Sequence, residues 1–389
     1  MTVQMFQQQK RLRIAVLARI FSTSAGGAER YCASLVKHLA PQHEIHVFAQ
    51  DIRTSYPEVI FHTVPLFCRR PRWLNQIAFA IYTWWKTRQG FDVVHSHENT
   101  WHGDVQTIHV LPFGYLWFVH RAGFNLFLRY VKLATSPRLL TYWFLEKLRM
   151  RDQQGRFLVA VSKTVQAVLQ NDLHYDNNHI RVIPPGIEYS FTHDIHAKKQ
   201  ARLNWGLPLD GHCLLWVGNN ATKKGLPTLL QALSDLPLNI FLVITGSAAP
   251  ENAWRSQVSK LQLEKRVYFK GVLEDMAIAY TAADLLVHPS LEDTFGMVVL
   301  EAMSHGVPAV VSDAKYCGIS ADLEHLVNAW LLDKPQDPHA LKHAIENSLE
   351  PSQHISLGQQ ALRWASSQNW KQLALTQESL YYEVVRLKE

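Results

Sequence analysis

The chain has 389 residues, 47% apolar and 19% charged, which is long for a single core and leaves no room for extended disorder, so two domains are expected. Its four cysteines, Cys32, Cys68, Cys213 and Cys317, form no CxxC pair and no metal-ligand spacing, which argues against a disulfide scaffold and points to free thiols in a reducing compartment. The net charge is +6, yet residues 1–185 hold 22 Lys+Arg against 11 Asp+Glu and residues 186–389 hold 17 against 22, so the first half expects an anionic partner.

The opening MTVQMFQQQKRLRIAVLARIF lacks an apolar stretch of signal-peptide type. No run reaches the roughly 18 apolar residues of a membrane span, and a cytoplasmic location is expected. Residues 12–18 read as a strand, followed by the loop FSTSAGGAER and a helical period from Tyr31 to Leu39. Further strands are expected at 44–50, 91–97, 156–162 and 180–188, with helix-length segments between them. Such alternation predicts parallel strands with helical crossovers. Pro184, Pro185 and Gly186 punctuate the chain and mark a domain boundary. The second half repeats the pattern, with strands at 212–218, 239–246, 266–271, 284–290 and 308–313, and a helical period over 359–388. The predicted class is α/β, with two Rossmann-like domains.

Three segments of the second half suit a nucleotide diphosphate. In PSLEDTFGMVVLEAMSHGVP a strand ending at His288 leads to a helix expected from about Thr294. The N–H groups near Phe295, Gly296 and Met297 would suit phosphate, and Gly296 permits close backbone approach. Glu301 lies eight positions after Asp293, about 12 Å along a helix, so the two acids could hold a sugar and a ribose on either side of a diphosphate. The plainer alternative is an N-cap at Asp293 and an exposed helix acid at Glu301. In WVGNNATKKGLPTLLQAL, Lys223 and Lys224 lie between a strand ending at Gly218 and a helix after Gly225. Paired cations there neutralise a diphosphate and favour its departure; otherwise they form a solvated basic loop. RVYFKGVL leaves Val272 and Leu273 at a turn after a strand.

In the first half, Gly26 and Gly27 separate the first strand from the first helix without forming GxGxxG, which counts against a dinucleotide-binding dehydrogenase. His95, His97, His102 and His109 invite a metal reading, but no acid is placed consistently with them and strand alternation aims only the first pair together. No metal is expected. Residues 67–90 carry Arg69, Arg70, Arg72, Lys86 and Arg88 without an acid, and residues 113–151 carry seven Lys/Arg against Glu146 alone, with Trp73, Trp84, Trp85, Trp117, Phe124, Phe127 and Trp143 interspersed. Cations among aromatics suit an anionic membrane surface, or else core aromatics beneath a solvated basic face. No nucleic-acid signature accompanies the charge, and no nucleic-acid partner is expected.

DTFGMVVLEAM, flanked by AADLLVHPS and GVPAVVSD, resembles the E-x7-E motif of retaining glycosyltransferases of the family 4 type, with Asp293 in place of the usual first Glu. The GG loop, VSKTVQAVL, VIPPGIE and the KKG loop also follow in the family's order. Lys223 stands where an Arg is often found, and Asn219 where some relatives have Arg. The resemblance implies the GT-B fold, two Rossmann-like domains facing each other across a cleft. Residues 1–184 would bind the acceptor, residues 185–369 the donor, and a helix over about 370–389 would pack back on the first domain. It implies a UDP-sugar donor, UDP-glucose above all, contacted by Gly26, Gly27, Gly218, Lys223, Lys224, Val272, Asp293, Thr294, Phe295, Gly296, Met297 and Glu301. His109, Lys223, Lys224 and Asp293 would serve catalysis, His109 beside the donor sugar, without metal or cofactor. Front-face attack would retain configuration, the leaving phosphate taking the acceptor proton. The implied acceptor is a lipid-linked saccharide such as the lipopolysaccharide inner core, met on the cytoplasmic face of the inner membrane. Another nucleotide sugar acting on a capsule or lipid-linked oligosaccharide precursor would share every motif. A non-catalytic membrane-associated scaffold is the alternative of another class.

Overall fold

The computed structural model of the chain describes residues 10–119, 121–151, 155–188, 195–247 and 251–389; the first nine residues of the opening segment, and His120 within the second basic-aromatic stretch, lie outside the described residues. Two units divide it. One takes Met1–Val161, Val165–Pro184 and Trp370–Glu389; the other takes Ser162–Thr164 and Pro185–Asn369.

The first unit contains β1 (Arg13–Leu17), β2 (Ile20–Phe21), β3 (Glu44–Ala49), β4 (Asp51–Ile52), β5 (Val59–Thr63), β6 (Val93–Ser96), β7 (Val105–Ile108), β8 (Phe157–Ala160) and β9 (Ile180–Val182). Seven form one sheet in the order β5-β3-β1-β6-β7-β8-β9, every pair parallel. Parallel neighbours require crossovers, and helices supply them on both faces. On one face Tyr31 and Leu35 of the helix Gly27–Leu39 pack with Trp370, Tyr381 and Val384 of the closing helix Trp370–Lys388. On the other, Phe79 of the helix Arg72–Thr87 meets Phe48, Val64 and Val94.

The second unit contains β10 (His212–Val217), β11 (Ile240–Thr245), β12 (Val267–Gly271), β13 (Leu285–His288), β14 (Ala309–Ser312) and β15 (Trp330–Leu332), ordered β12-β11-β10-β13-β14-β15 and again parallel. Strands covered on both sides read as unbroken apolar runs, as LLWV and FLVIT do here. The helices Leu226–Ser234 and Pro338–Leu349 cover one face, Met297–Ser304 and Pro351–Ser367 the other.

The predicted strands are present within one or two residues at most boundaries, although 180–188 shortens to β9 because Pro184 and Pro185 cannot donate to a ladder. β5, β15 and the two-residue pair β2 and β4 carried no usable sequence signal. The single helical period expected over 359–388 is two helices that break at Gln368 and Asn369.

The closing helix is tied to the first sheet by a buried hydrogen bond, Tyr381 Oη to His95 Nδ1 at 2.6 Å. Tyr381→Phe leaves that ring nitrogen buried and unpaired, and urea unfolding should show a loss of about 1–3 kcal/mol.

Candidate functional site

In each sheet the strand order reverses once, between β1 and β6 and between β10 and β13. Open α/β sheets bind ligands at the carboxyl ends of strands flanking such a switch. In the second unit those ends carry the segment Gly218–Gly225, after β10, and Pro289–Gly296, after β13. The two are laced together. Leu291 N–H donates to Lys223 O at 2.7 Å, while Trp216 Nε1–H of β10 braces the first loop by donating to Lys224 O at 2.9 Å. Gly225 makes the approach possible: its φ is +70°, and a Cβ there would lie 2.0 Å from Pro289 O.

Lys224 Nζ lies 2.5 Å from Asp293 Oδ2 and 3.2 Å from Glu292 O. The same carboxylate oxygen accepts from His288 Nε2 at 3.0 Å. Burial alone would raise the Asp293 carboxyl, but the His288 hydrogen bond and the Lys224 charge outweigh it and hold it well below the usual carboxylate range. Burial depresses His288 despite the neighbouring carboxylate, so it donates as a neutral ring. Lys223 turns away from this group, its Nζ 2.8 Å from both oxygens of Glu292. That pair is open to solvent, 53% and 38% exposed, and such pairs contribute little. Separating Lys223 from Glu292 would therefore cost little.

The acid turn departs from the sequence expectation. The helix begins at Met297, not near Thr294, with Gly296 at φ +100° as its cap. Thr294, Phe295 and Gly296 belong to a turn backed by residues 316–319, through Asp293 N–H to Tyr316 O (2.8 Å), Gly318 N–H to Asp293 O (2.9 Å) and Ile319 N–H to Phe295 O (2.6 Å). Asp293 therefore sits off the helix, and its spacing to Glu301 is not an axial distance. Phe295 is in the core, and its N–H faces Asp293 Oδ1 at 3.4 Å rather than an open phosphate position. Glu301 is buried and accepts from Tyr280 Oη at 2.5 Å, so it is not an exposed helix acid. Gly218 follows β10, and Val272 is 75% exposed beyond β12.

His288, Asp293 and Cys317 offer one donor atom each within 4.8 Å of one another. The trio fits a cation poorly. Lys224 already serves Asp293 as counter-charge, and burial, reinforced by Asp293, holds the Cys317 thiol well above its ordinary value and protonated.

In the first unit, Gly26 caps and Gly27 opens the helix Gly27–Leu39, and both are exposed. His109 follows β7 with Nε2 at 2.9 Å from His97 Nδ1. Of the four histidines, the fold gathers His95, His97 and His109, while His102 packs on Trp101. Glu98 is engaged by Arg19, through Nε at 2.9 Å and the backbone N–H at 3.1 Å.

The basic-aromatic stretches form helices Arg72–Thr87, Phe113–Phe118, Gly123–Thr135 and Pro137–Arg149. Gly123–Thr135 buries only Leu133 and exposes Phe124, Phe127, Leu128, Tyr130 and Val131. Lys86 Nζ lies 4.5 Å from the Trp85 ring centroid and the Arg129 guanidinium 5.1 Å from that of Trp117. Among the described residues no helix is long and apolar enough to cross a membrane.

Sequence reasoning missed His288, Glu292 and Tyr280. His288 had a signal, a polar side chain ending an apolar strand five residues before the acid; the others depend on contacts far apart in the chain.

Two measurements check this geometry. Gly225→Ala should lower stability by roughly 1–3 kcal/mol in chemical unfolding, from positive φ and collision with Pro289. Because the Asp293 carboxyl is depressed in the folded state, its stabilising effect is complete above the unfolded value of about 3.9 and lost as pH falls through the folded one. The unfolding free-energy difference between wild type and Asp293→Asn should therefore hold steady through neutral pH and shrink only in strong acid.

Residues 25–191 match the Glycosyltransferase Family 4 domain, and residues 198–363 match Glycosyl transferases group 1. Among curated relatives, the lipopolysaccharide glucosyltransferase WaaG of Escherichia coli (strain K12) is 25% identical over 58% of this chain and 60% of its own. The D-inositol 3-phosphate glycosyltransferase of Corynebacterium glutamicum (strain R) is 27% identical over 57% of this chain and 56% of its own. The aligned region thus spans little more than half of each relative. The crystal structure of WaaG, described as a glycosyltransferase involved in lipopolysaccharide biosynthesis, superposes with a TM-score of 0.78 at 20% identity, covering 93% of this chain and 98% of WaaG. Anabaena Alr3699/HepE in complex with UDP-glucose gives 0.70 at 19% identity, covering 95% and 100%. With two Rossmann-like parallel sheets, and with each half matching one of the paired domains, the chain belongs to the family 4-type glycosyltransferases of GT-B fold.

Proposed function

We propose that this glycosyltransferase is a retaining, metal-independent hexosyltransferase that takes glucose from UDP-glucose and delivers it to a lipid-linked saccharide, such as the lipopolysaccharide inner core, at the cytoplasmic face of the inner membrane. The observation that carries the reading is the Lys224–Asp293–His288 group at the switch point of the second sheet. A diphosphate needs positive charge, and a sugar needs a fixed acceptor for its hydroxyls. Lys224 meets the first need and the ionised Asp293 the second, with His288 holding the carboxylate in place.

In this reading Lys224 and Lys223 exchange their carboxylate partners for the diphosphate as the donor binds, so that their charge stabilises the departing UDP. The β-phosphate takes the acceptor hydroxyl proton on the face it leaves, which retains configuration without a protein nucleophile. Asp293 replaces the usual Glu at the sugar. Glu301, held by Tyr280, is placed for the ribose, and the exposed turn at Val272 for the base. The resemblance assigns His109 of the first unit to the donor sugar. UDP-glucose is favoured by Alr3699/HepE, which is described in complex with it, and by the glucosyltransferase WaaG. The lipid surface is favoured by the cation–aromatic pairs and exposed apolar faces of residues 67–90 and 113–151.

Donor hydrolysis and thermal shift across UDP-, GDP- and ADP-sugars, all in EDTA, test the assignment. UDP-glucose should stabilise the protein and be consumed. Lys224→Ala should lower turnover by about 10²–10³, the usual effect of losing one transition-state charge partner. Indifference to every nucleotide sugar, or unchanged biological output in Lys224→Ala, would favour the scaffold. Sedimentation with anionic vesicles should show binding at low salt that weakens at high salt; no binding in either would remove the membrane component.

A further inference from the structure

Three imidazoles stack through one corner of the first unit. His95 and His97 leave β6 two residues apart, and His95 pairs with Val105 on β7, the strand that His109 follows. Ring centroids are 4.3 Å apart for His95–His97 and 5.2 Å for His97–His109, the second pair within 21° of parallel. Tyr31 presses edge-on against His109 from 5.1 Å. His95 anchors the stack, its Nδ1 2.6 Å from Tyr381 Oη and its Nε2 2.7 Å from Thr107 Oγ1.

The 2.9 Å contact between His97 Nδ1 and His109 Nε2 needs a proton on one nitrogen and a lone pair on the other. His97 Nε2 decides which. It is buried and has no hydrogen-bond partner among the described residues. An N–H at that position would be an orphaned donor, which folded proteins avoid more strictly than an unused lone pair. The proton of His97 therefore sits on Nδ1 and points at His109. Neither ring gains a second proton. Burial pulls His109 down to about 3, with the Arg149 guanidinium adding to the effect, and holds His97 well below its ordinary value too. Arg149 is itself fixed nearby, donating to Gln106 Oε1 at 3.0 Å and Thr107 O at 2.5 Å.

We propose that His97 is a positioning residue whose Nδ1–H donates to His109 Nε2 and locks His109 as the neutral Nδ1–H tautomer. The chemical consequence is specific. With Nε2 accepting from His97 and Nδ1 protonated, His109 keeps no basic lone pair, so it acts as a hydrogen-bond donor and not as the base that deprotonates an acceptor. This deepens the proposed function and rests on the assignment of His109 to the donor sugar: it leaves the leaving phosphate as the group that takes the acceptor proton.

Long-range 1H–15N spectra of the full chain labelled at histidine read the tautomers directly, with His97→Gln and His109→Gln assigning the signals. His97 and His109 should both show the Nδ1–H pattern, unchanged across pH 5 to 9. In His97→Ala the His109 signal should shift toward the Nε2–H pattern, and turnover should fall by about ten- to hundredfold, as for other residues that orient a functional ring, mainly in kcat. His97→Gln, which keeps a donor, should restore part of both. An Nε2–H pattern at His109 in the wild type, or an unaltered pattern in His97→Ala, overturns the proposal. Full turnover in His109→Ala would instead overturn the donor-sugar role, and with it the catalytic consequence, whatever the spectra show.

Discussion

The contact between Lys224 and Asp293 organises the second unit. Two loops, their contacting residues 68 and 69 apart in sequence, meet where the strand order reverses, and each brings a charge that the other neutralises. Desolvating either charge alone would be costly, so the pair, with His288 donating to the same oxygen, explains why these side chains can sit in a nearly enclosed position. Glycine at 225 lets the backbone come close enough to Pro289 for the contact to form. A group balanced in this way suits the proposed exchange, in which a diphosphate would take the ammonium and a sugar hydroxyl the carboxylate.

The first unit uses the opposite tactic. Its histidine corner is kept neutral, with buried imidazoles depressed by burial and by the Arg149 guanidinium. The closing helix contributes to that corner through Tyr381, so residues at the far end of the chain fix the orientation of a ring on β6. The two units thus settle their buried polar groups differently, by paired charge in the second and by neutral rings in the first.

Much of the fold was legible because buried parallel strands are uninterrupted apolar runs; LLWV and FLVIT leave little ambiguity. The failures follow from short range. β15 has three residues and β2 and β4 two each, too few for a period to register. The helix expected from Thr294 starts later because residues 316–319 capture the intervening backbone, a long-range pairing that a helix-start pattern cannot reveal. At the candidate site, the spacing of KKG and the acid motif singled out two loops that meet in the structure, but not the partners of their side chains. Lys223 and Lys224 look equivalent in sequence, yet one meets the more exposed Glu292 and the other a half-buried Asp293. His97 was visible as one of four histidines weighed as metal ligands; its contact with His109 comes from β6–β7 register.

Titration calorimetry of UDP against UMP, both in EDTA, tests the central claim most directly. If Lys224 carries the β-phosphate, UDP binds the wild type at least tenfold more tightly, a difference of about 1.4 kcal/mol, and Lys224→Ala removes most of that advantage. Equal affinity for the two nucleotides in the wild type, or a UDP preference that survives Lys224→Ala intact, would contradict the account.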